Sequence, residues 1–157
     1  MPSTSDLIAL ARATASKHAL DAALVCAVVE QESGWDAHAI RYEPAFRTRY
    51  VAPLGLPPTE EVARSISWGL MQVMGQVARE HGFTGKFLSA LCDPATGLDI
   101  GCAVLAAKVS AAAGDSSPRL DSPSTWEPSL AHALALWNGG ANPDYAAQVI
   151  ARMEQYR

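Results

Sequence analysis

Asp21-Ala22-Ala23-Leu24-Val25-Cys26-Ala27-Val28-Val29-Glu30-Gln31-Glu32-Ser33-Gly34-Trp35 is the stretch that decides the fold. Leu24, Val25, Val28 and Val29 recur at helical spacing, and Asp21 suits the start of that helix. Glu32 continues the apolar face as the i+4 neighbour of Val28 and the i+8 neighbour of Leu24. Gly34 supplies a stop, which puts Glu32 in the last turn, where the helix dipole is negative and the neighbours are apolar. Both effects disfavour the carboxylate, and a carboxyl kept protonated near neutral pH is what a general acid requires. Glu30 falls roughly 200° around the helix from Glu32 and is expected to be an ordinary solvated carboxylate.

Two further stretches lie downstream. Ser67-Trp68-Gly69-Leu70-Met71-Gln72-Val73-Met74 reads as the opening of a helix over 69–81, with Leu70, Val73, Met74 and Val77 on one face and Gly82 as its stop. Ala135-Leu136-Trp137-Asn138-Gly139-Gly140 ends a helix that begins near Ser129, with Leu130, Leu134 and Trp137 on one side. The three motifs, in this order and spanning roughly 20–150, resemble the lytic transglycosylase domain of glycoside hydrolase family 23 and its goose-type lysozyme relatives. That resemblance implies an all-α, single lysozyme-like helical domain over 1–157, cleaving the β-1,4 bond between N-acetylmuramic acid and N-acetylglucosamine. Glu32 would be the acid, with Ser33, Ser67, Gly69, Met71, Gln72 and Asn138 near the sugar. The Glu32 helix end and the 69–81 helix would form the two walls of a cleft.

The rest of the chain reads as helices joined by loops. Ser3 and Asp6 form a capping box for a helix running to about His18, with Leu7, Leu10, Ala11 and Ala15 inward. From Gly34 to Pro58 no period holds and five residues, Pro44, Pro53, Gly55, Pro57 and Pro58, interrupt every run; this is a long insertion after the catalytic helix. Tyr42, Phe46 and Tyr50 alternate there with Arg41, Arg47 and Arg49, either as a sugar- and carboxylate-binding wall or as a self-packed loop with its own small core. Thr59 starts a short helix to about Ile66. Asp93-Pro94 opens a long one to Ala113 with Leu98, Cys102, Leu105 and Val109 buried and Asp99 solvated. A surface loop over 114–128 follows, and Asn142-Pro143 caps a last helix whose stripe is Tyr145, Val149 and Met153.

Two positions depart from the family pattern. The family normally has Tyr before Asn in the third motif, where its hydroxyl helps to orient the catalytic Glu. Here Trp137 can donate from its indole but not accept, or it can simply be core. Glu43, in Arg41-Tyr42-Glu43-Pro44, is a candidate base for water, with Asp36 behind it. Its other reading is an ion pair with Arg41 or Arg47. A transglycosylase needs no such base, because the substrate's own 6-hydroxyl attacks; a muramidase does. A non-catalytic cell-wall-binding module on the same fold is a further alternative.

At net charge −4 with no basic run, the 157-residue chain is not expected to bind nucleic acid, and peptidoglycan glycan strands are the expected partner of a monomer. No stretch reads as a membrane span, so stable insertion is not expected. The first residues show neither a basic nor an apolar leader segment, so action at the bacterial wall or periplasm would require another route, such as phage lysis or virion delivery. No cofactor and no metal are expected: Cys26, Cys92 and Cys102 lack ligand spacing, and His38, His81 and His132 lack partners in sequence. Cys92 with Cys102 is the pair to watch for a disulfide.

Overall fold

The computed structural model describes residues 1–114 and 123–157, apart from the side chains of 123–128. It is built mainly of helices. Helix α1 (Thr4–Lys17) begins at Ser3, whose side chain accepts from the Asp6 amide while Asp6 answers to the Ser3 amide, the reciprocal cap expected from sequence. Helix α2 (Ala22–Ser33) starts at Asp21, which caps the amides of Ala23 and Leu24, and stops at Gly34 in a left-handed conformation. All seven residues from Ala23 to Val29 are buried, so α2 is covered on every side for two turns before it reaches Glu32.

α2 packs against α1 and against α8 (Tyr145–Met153). Helix α6 (Pro94–Ala113) packs against α1 and α7 (Pro123–Asn138), burying Leu98, Cys102 and Leu105; Val109 is only partly covered. By length and composition α6 could cross a membrane, contrary to the expectation that no stretch would. Its buried line gives that apolarity a second cause, packing inside the domain. Helix α7 begins at Pro123, earlier than the Ser129 start read from sequence, so the loop expected over 114–128 is shorter; residues 115–122 lie outside the described part.

The middle of the chain departs from the all-helical expectation. Ile40–Tyr42 (β1), Ile66–Trp68 (β2) and Val73–Met74 (β3) make a three-stranded antiparallel sheet in the order β1-β2-β3, with Arg41 opposite Ser67 and Trp68 opposite Val73. The helix expected over 69–81 shrinks to α5 (Gly75–Glu80), because the preceding residues form the turn of a hairpin. Gly69 and Gln72 both sit at positive φ, +68° and +48°, which a helix does not allow. A β-carbon on Gly69 would fall 2.4 Å from the Leu91 carbonyl oxygen. Leu70 and Val73 lie inward in either reading, which is why their spacing imitated a helix.

The insertion is also more ordered than its sequence suggested. After β1 come a single helical turn α3 (Pro44–Phe46), a wider π turn over Arg47–Val51, a 3₁₀ turn over Ala52–Leu54 and then α4 (Pro58–Arg64). Val51 is fully buried, Phe46 and Tyr50 pair with ring centroids 5.0 Å apart, and Arg47 holds Glu61 at 2.6 Å. Glu60 accepts from both Arg64 and Arg79, which joins α4 to α5, and Arg79 also donates to the Phe83 and Gly85 carbonyls. The three cysteines are free thiols, so the Cys92–Cys102 pairing is absent. Burial between helices pushes the Cys102 thiol up to about 12.

Candidate active site

Glu32 emerges from the buried part of α2 into a half-buried position in its last turn, one residue before the final Ser33. Its Oε1 accepts two hydrogen bonds, one from Trp137 Nε1 at 2.9 Å and one from the Tyr145 hydroxyl at 2.5 Å. Those donors come from the end of α7 and the start of α8, and the Asn138-Gly139-Gly140 turn brings the two helix ends together. Asn138 braces that turn by donating to the Asn142 carbonyl at 3.2 Å. With Oε1 occupied by two donors, the carboxyl proton belongs on Oε2, the oxygen left for a ligand. Burial pushes the Glu32 carboxyl above the ordinary carboxylate range; the bonds from Tyr145 and Trp137, and then the Arg41 charge, pull it back part of the way. Burial and the adjoining Glu32 carboxyl push the Tyr145 phenol far up, so it stays a donor throughout the accessible pH range.

Trp137 therefore sits on the acid, and the hydroxyl missing from its position is supplied eight residues later by Tyr145. Sequence reading assigned Tyr145 to the apolar stripe of α8, and it is indeed 4% exposed with Val149 and Met153. The one available signal was chemical: a Tyr on a buried stripe needs a partner for its hydroxyl.

The residues of the middle motif act largely on one another. Ser33 Oγ donates to the Leu70 carbonyl at 2.8 Å, tying the end of α2 to the hairpin turn. Gln72 donates from Nε2 to the carbonyls of Ala39 and Gly69, both at 2.9 Å, and accepts from Ser67 Oγ at 2.9 Å, so its amide clips the turn to the segment leading into β1. Ser67 is buried at 2% exposure and Met71 at 1%, the latter against Gly101 of α6. What is tied to the end of α2 is therefore this hairpin turn with its sheet, in place of the expected helix. Trp35, at φ +69° three residues after Glu32, and Gln72 in the hairpin turn are non-glycine residues held in strained backbone.

Tyr42 is 44% exposed on β1, and its hydroxyl accepts from Arg47 at 3.3 Å. Glu43 pairs with Arg41, Nε to Oε1 at 2.5 Å, the alternative to a free base that its neighbours allowed. Asp36 caps the His38 amide at 2.8 Å. Glu30, expected to be solvated, is engaged: it pairs with Arg152 at 3.5 Å and accepts from Tyr156 and Gln155 of the C-terminal turn. Asp99 is likewise held by Lys17 and His18, which keep its carboxyl below the usual range. Among the described residues no three His, Cys, Asp or Glu side chains converge as a metal set. Surface depressions of about 530 Å³, beside Lys17 and Phe83, and about 460 Å³, beside Val62, both lie away from Glu32.

A carboxyl at the end of a core helix, held by two donors and raised by burial, has the properties that proton transfer calls for. Comparison with family models matches residues 9–153 to the transglycosylase SLT domain, almost the full length of the chain. The chain belongs to the transglycosylase SLT domain family. That family comprises peptidoglycan lytic transglycosylases, glycosidase-type enzymes that act at the cell wall, and this SLT domain shares their peptidoglycan-cleaving activity. No curated protein and no solved structure matches the chain. In the SLT domain the match runs from within α1 to the last residue of α8, so it takes in Glu32 and both of its donors.

Proposed function

We propose that this SLT domain cleaves the β-1,4 bond between N-acetylmuramic acid and N-acetylglucosamine as a lytic transglycosylase, with Glu32 as the one acid and base. The observation that carries this reading is the pair of donors on Glu32 Oε1. Glu32 gives its Oε2 proton to the glycosidic oxygen as the bond to the anomeric carbon breaks. The carboxylate so formed is stabilised by Trp137 and Tyr145, whose bonds strengthen as charge develops. Glu32 then takes the proton of the muramyl 6-hydroxyl while that oxygen closes on the anomeric carbon, leaving a 1,6-anhydro sugar and the acid restored. Gly69, Gln72 and Asn138 frame the sugar site through backbone and braced amides, Tyr42 offers an exposed ring to a sugar face, and Ser33, Ser67 and Met71 hold that frame in shape.

The muramidase alternative needs Glu43 free to activate water. The Arg41 ion pair occupies one of its oxygens and speaks for the transglycosylase. Mass spectrometry of muropeptides released from sacculi separates the two, since anhydro products are lighter by one water. Anhydro products support the proposal, and reducing-end products refute it in favour of the hydrolase.

A further inference from the structure

Three arginines lie in the inserted segment, and two are spent on the segment itself. Arg47 gives Nε and Nη2 to Glu61 and Nη1 to Tyr42, and Arg49 lies over the Tyr50 ring at 5.1 Å. Arg41 differs. Its side chain is 73% exposed on the edge strand β1, and only Nε is engaged, by Glu43. Among the described residues neither terminal nitrogen has a hydrogen-bonding partner. Its backbone is fixed by pairing with Ser67, whose hydroxyl also donates to the Arg41 carbonyl at 3.3 Å. Ser67 also donates to Gln72 of the hairpin turn, and that turn is tied through its Leu70 carbonyl to Ser33, the neighbour of Glu32, so β1 belongs to the layer packed at the end of α2, and the Arg41 charge is felt at the Glu32 carboxyl.

We propose that Arg41 binds a carboxylate of the muramyl substituent, whether on the stem peptide or on a free lactyl group, next to the bond that is cut. The inference rests on the peptidoglycan reading above. A guanidinium is a planar fork whose two terminal nitrogens match the two oxygens of a carboxylate, and Glu43 pins the fork at Nε without covering that edge. Glu43 stands two residues on, the spacing that sets side chains on the same side of an extended chain. The open edge of that guanidinium carries two N–H donors on a charged group, which suit an anion. Neutral sugar hydroxyls give no comparable use for it.

The test compares wild type with Arg41→Gln on three substrates: intact sacculi, sacculi whose carboxylates are amidated with carbodiimide and ammonia, and strands stripped of stems by an amidase, which leaves lactyl carboxylates. Muropeptide release gives KM and kcat, and co-sedimentation of Glu32→Gln, with and without Arg41→Gln, gives binding without turnover. The expected result is a wild-type KM about tenfold lower on intact than on amidated sacculi, from one charge-assisted bidentate contact. Arg41→Gln erases that difference, so its KM is the same on intact and on amidated sacculi. A low KM kept on stripped strands means that Arg41 accepts a lactyl carboxylate as well as one on the stem, and a low KM lost there confines the contact to the stem. Indifference of the wild type to amidation, or an equal loss in Arg41→Gln on every substrate, overturns the proposal. Failure of the glycosidase reading looks different: no muropeptide release by the wild type, with carboxylate-dependent sedimentation that Arg41→Gln still removes.

Discussion

Tyr145→Phe isolates the hydroxyl that sequence reading passed over. The ring is 4% exposed and packs with Val149 and Met153, so Phe keeps the packing and removes only the 2.5 Å bond to Glu32 Oε1. A hydrogen bond to a charged group is worth about 1.5–3 kcal/mol, and this one is strongest when Glu32 is ionised, after it has given up its proton. Its loss therefore falls on the transition state more than on the resting acid. At about 1.4 kcal/mol per factor of ten, kcat should drop roughly 10- to 100-fold, with KM nearly unchanged. The same bond lowers the Glu32 pKa, so removing it shifts the basic limb of the pH–rate profile upward, with the remaining Trp137 bond limiting the change. Initial rates of muropeptide release between pH 4 and 9, with thermal melting as a control for folding, measure both. A variant with wild-type kcat and an unmoved basic limb would refute the idea that Tyr145 serves the acid. A fall in KM alone would do the same.

Other expectations follow from the same geometry. Gly69→Ala forces a β-carbon to within 2.4 Å of the Leu91 carbonyl and a side chain into φ +68°, and should cost more than about 2 kcal/mol in chemical denaturation; a loss under about 0.5 kcal/mol would mean the hairpin turn is loose. Ser33→Ala removes the tie to the Leu70 carbonyl and should lower stability by about 1 kcal/mol while reducing kcat more than KM, as a displaced hairpin would. Glu43→Gln should retain most of the turnover, and a loss of 100-fold or more would revive Glu43 as a base. Burial raises the Glu32 pKa in the folded chain, so the native state holds that proton more tightly than the unfolded state does. The stability this gives is complete below the unfolded value and fades as pH rises through the folded one. Glu32→Gln should consequently gain on the wild type in melting temperature from pH 4 to pH 8, and a variant that loses ground to the wild type over that range would contradict the shift.

Helices α1, α2 and α6 were legible because each carries its own cap, Ser3 with Asp6, Asp21 and Gly34, and Asp93-Pro94; α8, whose N-cap is Asp144 without a side-chain bond and not the expected Asn142-Pro143, was legible from its apolar stripe of Tyr145, Val149 and Met153. Glu32 was legible for a related reason, since the buried face of α2 runs straight into it. The hairpin over 66–74 was not, because Leu70 and Val73 satisfy a helical period while being buried from a turn and a strand. What excludes the helix is a pair of positive φ values, and Gln72 gives no sign of one in sequence. The ordering of the insertion depends on partners far along the chain, such as Arg47 with Glu61 and Glu60 with Arg79, which local patterning does not register. The partners of Glu32 were half visible. Trp137 came from a motif, whereas Tyr145 reaches the acid only because a short turn folds α8 back against α2.

The central claim, that one carboxyl performs the cleavage, is tested most directly by Glu32→Gln assayed for product release from purified sacculi. The substituted amide oxygen can still accept from Trp137 and Tyr145, so the fold should persist with its melting transition intact. A fall in release of at least 100- to 10,000-fold in that folded protein is the predicted result, the range that loss of a general acid brings. Release within tenfold of wild type would contradict it and move the search for the acid elsewhere on this face.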